Sequence, residues 1–322
     1  MIVAVNGLAA GSDPAPGVAV LRSLRDLLSR ENRLIGLVSE PLEPGLYEAG
    51  LLDKAFLVPS PVAERKAFLD RMSRIGSDGG LDVFIPNREA ELPAIVSMLS
   101  ELRSLGIRTL VPGKRSLERL AHGNLFTGLA MPAATHAASG KKKRRRPAAA
   151  VALPPASLVK SPVRAPLPLT NRGGAWYSLA LLADRESRVV GHAAVRKILS
   201  SRTGGTWMAL IVDGEDFMAL AEGIARRLHW TGPLTVDLFM NGEGEFSPAG
   251  IRPQFPDWIH GAALAGVNLP GMLTDLACGR PAGPPCRAVP GQLFVQMSVD
   301  IVTDVNRFGV FSLTGEMDYD SA

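Results

Sequence analysis

Six cations stand in a row in GKKKRRRP, residues 140–147. A run of this kind can hold phosphates or anionic lipid. No aromatic side chain is interleaved with it, so bases have no stacking platform, and the run reads first as a solvated loop. Acidic groups with a chance at chemistry lie elsewhere. Glu89 and Glu91 follow the apolar run DVFIP, and Asp237 interrupts the apolar run LTVDLF. Glu243 and Glu245 fall at the tip of a hairpin, NGEGEF, where side chains are usually solvated, although strand alternation would aim one of them inward. Cys278 and Cys286, in CGRPAGPPC, have no histidine beside them. They make a poor zinc site and read as unpaired thiols of a reducing cytoplasm. His192, His229 and His260 are isolated and read as core or surface histidines rather than bases.

The first ~110 residues must position Glu89 and Glu91, and they alternate strand and helix signals. MIVAVNG, RLIGLVSE, KAFLVP, LDVFIPN and IRTLVP read as strands. Helical spacing fills GSDPAPGVAVLRSLRDLLSR, VAERKAFLDRMSRIG and EAELPAIVSMLSELRSLG. This alternation predicts a doubly wound, mostly parallel sheet, with ligands at the carboxyl ends of its strands. Gly7, Gly11, Pro86, Asn87, Glu89 and Glu91 would stand there. NGLAAGSDPAPG lacks G-x-G-x-x-G, which argues against a dinucleotide site and leaves the glycines to shape a turn.

From 127 to 175 Ala and Pro dominate, and the stretch reads as a linker with at most a strand near ASLVK. AWYSLALLAD and SRVVGHAAVRKIL then read as antiparallel strands joined by DRES. EDFMALAEGIARRLH is an amphipathic helix, and WTGPLTVDLFMNGEGEFSPAGIRP is a hairpin turning at NGEG. DWIHGAALAGVNL reads as one helix with Asp257 as its cap, GMLTDLACG as another, and LFVQMSVDIVT as an edge strand.

The chain has 322 residues and a net charge of +4. Without the basic run, 29 basic residues face 31 acidic ones, a net of −2, so the remainder does not carry a nucleic-acid-like charge. The opening MIVAVNG has no basic segment ahead of a long apolar stretch, and no apolar run approaches the ~18 residues of a membrane span. The expectation is a cytoplasmic protein with no membrane partner.

The order of these segments resembles the ATP-grasp superfamily, in particular its carbamoyl-phosphate-synthetase-like and carboxylate–amine ligase members. The resemblance covers nearly the whole chain. It rests on DVFIPNREAELP, KRSLERLAHGNLFTGLAMPAAT, GHAAVRKILSSRTGGTW, LHWTGPLTVDLFM and, most specifically, GIRPQFPDWIHGAALAGVNLP. It implies an α/β and α+β fold: a Rossmann-like pre-ATP-grasp domain over 1–115, a linker, basic loop and reduced small lobe over 116–205, and a large lobe over 206–322.

In such enzymes ATP phosphorylates a carboxylate, and an amine or thiol displaces the phosphate. Two lysines hold the phosphates, and two Mg²⁺ ions are held by acids on one strand and by the acid–Ile–Asn–Pro–Arg motif on the next. Carried over, Asp237 falls on the first metal-ligand position and suits it. The acid position of the motif is Gly250, the asparagine position Arg252, and the arginine position Gln254. The first lysine position falls near His122 and Gly123, the second on Lys160, and too few residues follow Lys160 for a phosphate-covering loop. Arg196 and Lys197 stand where a basic pair faces phosphate. Arg252, standing where a metal would be held, is expected to act as a tethered cation paired with Asp237.

The resemblance therefore implies a pseudoenzyme. It would be a homodimer, or a heterodimer with an active relative, that partners another protein or presents a substrate without catalysis. Two alternatives stand beside it. One is a live ATP- and Mg²⁺-dependent ligase of a small-molecule or peptide carboxylate, using Lys160, Arg196, Lys197, Asp237 and Glu245. The other is an anion- or nucleic-acid-binding protein working through 141–146.

Overall fold

The structure is a computed structural model, and it describes residues 1–9, 11, 13–27, 32–77, 80–122, 125–132, 173–283 and 286–319. Lys160, the basic run 141–146, ASLVK and most of the expected linker lie outside the described residues.

The first unit is built from β1 (Ile2–Val5), α1 (Pro16–Leu27), β2 (Arg33–Val38), β3 (Lys54–Leu57), α2 (Arg65–Ser77) and β4 (Val83–Ile85). Short β-branched runs form the strands, which pair in parallel in the order β3-β2-β1-β4. Gly17 lets α1 start hard against the end of β1: a Cβ there would meet the Asn6 carbonyl oxygen at 2.2 Å. Its own amide donates to the Gly7 carbonyl at 3.0 Å. Gly7, at φ +82°, and Gly17 thus shape the turn.

Two readings of this unit change. The helix expected over EAELPAIVSMLSELRSLG is split into α3 (Leu92–Val96) and α4 (Leu99–Ser104). Ser97 stands at the break; its hydroxyl donates to the Ala94 carbonyl and accepts from Arg65, competing with the helical ladder. IRTLVP adds only an isolated bridge, Val83 to Arg108, before the chain leaves for α5 (Lys114–His122).

The second unit holds β5 (Ala175–Ala183), β6 (Val189–Ser200), β7 (Thr206–Val212), α6 (Glu215–Leu228), β8 (Gly232–Met240) and β9 (Phe246–Arg252). After them come α7 (Ile259–Leu264), α8 (Leu269–Ala277), β10 (Leu293–Val295), α9 (Val305–Thr314) and β11 (Glu316–Asp318). Six antiparallel strands run in the order β10-β7-β6-β5-β8-β9. The helix expected over DWIHGAALAGVNL ends early, because Gly266 turns to φ +103° and Asn268 caps α8 by accepting from the Gly271 amide.

The expected boundaries shift accordingly. The division at 205/206 falls in the turn between β6 and β7, which pair as neighbours in one sheet. β5 and β6 therefore belong to the sheet of β8 and β9 instead of a separate lobe. The segment 206–322 is also divided, since β11 returns to the first sheet and pairs antiparallel with β3. Arg71 and Lys54 hold that return through Glu316.

One face of the antiparallel sheet packs on α6 through Leu179, Leu181, Val236 and Leu238. The other face, through Ala180, Leu182, Val195 and Ile211, shares a continuous core with α7, α8 and the α1 side of the first unit.

Candidate functional site

Strand alternation decides which side chains meet. Lys197 on β6, Ser178 on β5 and Asp237 on β8 share the face turned toward the first unit, and Arg252 at the end of β9 joins them. Ser178 stands directly opposite Asp237, and Asp237 opposite Gly250. Lys197 Nζ lies 3.0 Å from Asp237 Oδ1. Arg252 Nη2 donates to Asp237 Oδ2 at 2.8 Å. Side-chain exposure falls from 29% at Arg252 to 17% at Asp237 and 2% at Lys197, so the lysine is the deepest charge of the row. Burial pushes the Asp237 carboxyl up, but Lys197 and Arg252 outweigh it and hold the carboxyl below its ordinary value.

A second carboxylate closes the group. Asp257 Oδ2 accepts from the Thr206 amide at 2.7 Å. Its expected role as helix cap is corrected: Trp258 holds that position, without a capping hydrogen bond. Burial pushes Asp257 up to about 6, against the pull of Lys197, the Thr206 amide and Arg252. Asp237 adds to the rise by like-charge repulsion.

The other candidates are placed as follows. Arg196 is exposed on the opposite face from Lys197, so the two do not form a basic pair. Glu245 is exposed at the β8–β9 turn, where it accepts from Asn241 Nδ2, and it does not join Asp237. Gln254 is used structurally, its Oε1 accepting from the Glu89 amide at 2.9 Å. Asn87 fixes the next residue in both directions: its Oδ1 accepts from the Phe255 amide at 2.9 Å, and its Nδ2 donates to the Phe255 carbonyl at 3.5 Å. The side chain of His122 is outside the described residues. His192 meets the Gly214 carbonyl, His260 meets Asp26, and His229 takes the left-handed end of α6.

The crevice at the carboxyl ends of β1, β2 and β4 holds Arg88. Its Nη1 donates to Ser39 Oγ at 2.9 Å and lies 3.3 Å from Glu91 Oε1 and 3.7 Å from Glu43 Oε1. Burial raises the Glu91 carboxyl, with Arg88 opposing. Glu89 contributes its backbone amide, through Gln254.

Sequence reasoning missed Ser178, Asp257 as a member of the charged group, and the anchoring of the β6–β7 turn. In that turn Asp13, from the glycine-rich loop after β1, accepts from the hydroxyls of Ser201 and Thr203. Ser178 had a signal, being the one small hydroxyl side chain on an otherwise apolar and aromatic strand. Asp13 had none, because its partners lie about 190 residues away.

Comparison with solved structures places this architecture. The biotin carboxylase domain of Hydrogenobacter thermophilus 2-oxoglutarate carboxylase, solved as a dimer with MgADP, ADP and bicarbonate, superposes with a TM-score of 0.54 at 11% identity. The match covers 89% of this chain and 72% of that one. The L-amino acid ligase of Bacillus licheniformis gives 0.51 at 12% identity, covering 86% of this chain and 73% of that one. The chain has the ATP-grasp fold. It spans only 24% of the multifunctional pyruvate carboxylase of Rhizobium etli, matched at 0.52 and 14% identity over 86% of this chain. No family model and no curated protein matches.

The described residues do not fit the Mg²⁺ that accompanies nucleotide in such a site. A hard cation needs several oxygen ligands. Asp237 offers its two oxygens to two cations, Gly250 has no side chain, and Arg252 repels metal. Among the described residues, no group of three His, Cys, Asp or Glu could hold a metal ion.

Proposed function

We propose that this protein is a non-catalytic member of the ATP-grasp fold, a partner or substrate-presenting protein whose metal position is neutralised from within. The observation that carries this reading is the ion pair of Arg252 with Asp237, on the two neighbouring strands that would otherwise supply metal ligands. Lys197 completes the neutralisation from below. The chain's own guanidinium and ammonium do for the carboxylate what Mg²⁺ would do, and they are tethered, so they act at high effective concentration. Gln254, where a cation would stabilise transferred phosphate, is neutral and ties the two units together instead.

Calorimetry on the full chain tests this. Titration with millimolar ATP is expected to give no Mg²⁺-dependent heat, and MgATP is expected to leave the melting temperature unchanged. Mg²⁺-dependent binding, with a matching rise in melting temperature, would show that another set of ligands has replaced the old one. Among the described residues no helix is long and apolar enough to cross a membrane.

A further inference from the structure

The parallel sheet reverses its winding at β1. In the order β3-β2-β1-β4, the chain runs out on one side of β1 and resumes on the other. Open α/β sheets take ligands at the carboxyl ends of the strands beside such a point. A crevice lies there, with about 260 Å³ of empty space, its mouth included. Its walls are apolar: Leu37 on β2, Phe84 on β4, Phe68 on α2 and Val58 after β3, with Pro59 and Pro61. Its polar groups are Asn6, Ser39, Arg88 and Glu91, which follow β1, β2 and β4.

The charges around this crevice do not balance. The side chains of Glu91 and Glu43 are 12% and 5% exposed, and Arg88 is the single cation that either one meets among the described residues. Glu91 Oε2 accepts from Asn6 Nδ2 at 2.8 Å, and its Oε1 has only Arg88 Nη1, at 3.3 Å. Glu43 Oε1 accepts from the Ser39 amide at 3.0 Å and from the Ser39 hydroxyl at 3.3 Å. Glu43 Oε2 is buried and accepts no hydrogen bond among the described residues. Burial raises the Glu91 carboxyl in spite of Arg88, and Glu43 adds to the rise. Two carboxylates facing one guanidinium leave a negative charge unmatched in a poorly solvated place, where it is costly.

We propose that the crevice binds an organic cation with a short apolar body, an alkylammonium, whose head pairs with Glu91 and whose carbons lie on the apolar wall. Each half of the crevice excludes an alternative. A hard metal ion needs several oxygen ligands, and Leu37, Val58, Phe68 and Phe84 offer none. An anion would add to the surplus of negative charge. Glu43 does not line the crevice and acts through its charge. The proposal uses none of Lys197, Asp237 and Arg252, so it stands or falls apart from the reading of the metal position.

Saturation-transfer NMR on the full chain at pH 7.5, with n-pentylammonium as the probe, tests it. The expected dissociation constant is about 1–10 mM, and each methylene added from ethyl- to pentylammonium should tighten binding by up to about fourfold. Pentanoate should not bind, and MgCl₂ should not displace the amine beyond the effect of ionic strength matched with NaCl. Glu91→Gln should weaken the amine about tenfold while far-UV dichroism stays unchanged. Nα-acetyl-lysine methylamide distinguishes the sources of the group: binding tighter than the pentyl probe assigns the crevice to a protein side chain, and weaker binding assigns it to a free amine. Absence of pentylammonium binding overturns the proposal, as does equal binding of pentanoate. So does amine binding that Glu91→Gln leaves unchanged, since the head then lies elsewhere.

Discussion

Asp237→Asn separates a structural counter-ion from a metal ligand. The substitution keeps the size of the side chain and removes one charge. Lys197, 2% exposed, then loses its partner at 3.0 Å and keeps only the Gly204 carbonyl at 3.1 Å and the more weakly ionised Asp257. Removing one partner of a buried pair costs ~3–5 kcal/mol because the remaining charge stays buried. Asp237 and Arg252 are partly open to water, which lowers the expectation to about 3 kcal/mol. In a chain of this size that is a fall of roughly 4–5 °C in melting temperature. Urea unfolding at pH 7.5, without Mg²⁺ or nucleotide, measures it. The paired replacement Lys197→Met with Asp237→Leu removes both charges and keeps the volume, so it should recover most of the loss, as isosteric replacement of buried pairs does. A loss below about 1 kcal/mol for Asp237→Asn would refute the counter-ion argument. Additive losses in the paired replacement would refute it as well.

Other outcomes follow from the same geometry. Asp257 titrates at about 6 in the folded chain against an ordinary 3.8, so its proton favours the folded state at low pH, and that advantage is lost as pH rises from about 4 to 6. Asp257→Asn keeps an oxygen for the Thr206 amide and should gain up to about 3 kcal/mol at pH 7.5 and nothing at pH 4; equal melting temperatures at pH 7.5 would contradict the burial argument. A Cβ at Gly250 would find Asp237 4.0 Å away and no closer heavy atom, so Gly250→Glu with Arg252→Asn can rebuild an acidic pair. That variant should melt lower than wild type in chelator and recover with millimolar Mg²⁺; indifference to Mg²⁺ would mean the strand no longer aims those side chains at a common point. Phe311→Ala should cost about 3–4 kcal/mol, because Phe311 is fully buried where α9 anchors the chain end on the first sheet; a cost under about 1 kcal/mol would mean that anchor is not closed in solution.

Much of this architecture is legible in the sequence, for reasons that can be named. The parallel unit follows from apolar runs alternating with helical spacing, and both hairpins of the second sheet follow from paired runs around DRES and NGEG. The closeness of Arg252 to Asp237 could be reasoned from neighbouring strands alone. Other features depend on pairing over long distances. Arg196 and Lys197 are adjacent in sequence and opposite in space, which strand alternation implies once β6 is known to be one unbroken strand. Asp257 reads as a helix cap because the Thr206 amide, 51 residues away, claims it only in the folded chain. β11 is three residues long, EMD, and carries no periodic signal; its pairing with β3 rests on Arg71 and Lys54 meeting Glu316.

The two clusters proposed as ligand positions are filled in the same way. At the carboxyl ends of the parallel strands, Arg88 stands among Ser39, Glu43 and Glu91. On the antiparallel sheet, Arg252 stands on Asp237. In each case a guanidinium, which stays charged at any accessible pH, pairs with buried or half-buried carboxylates. Neither arginine is free to clamp phosphate without abandoning a carboxylate that is wholly or partly buried. An incoming anion must therefore compete with a tethered partner, and an incoming metal must displace a tethered cation. The second exchange is the harder one, because Lys197 remains beneath Asp237 even if Arg252 swings away. On the proposed reading the arrangement is expected to discriminate against Mg²⁺ more strongly than against phosphate, which makes the metal titration, more than nucleotide binding by itself, the decisive measurement on this site.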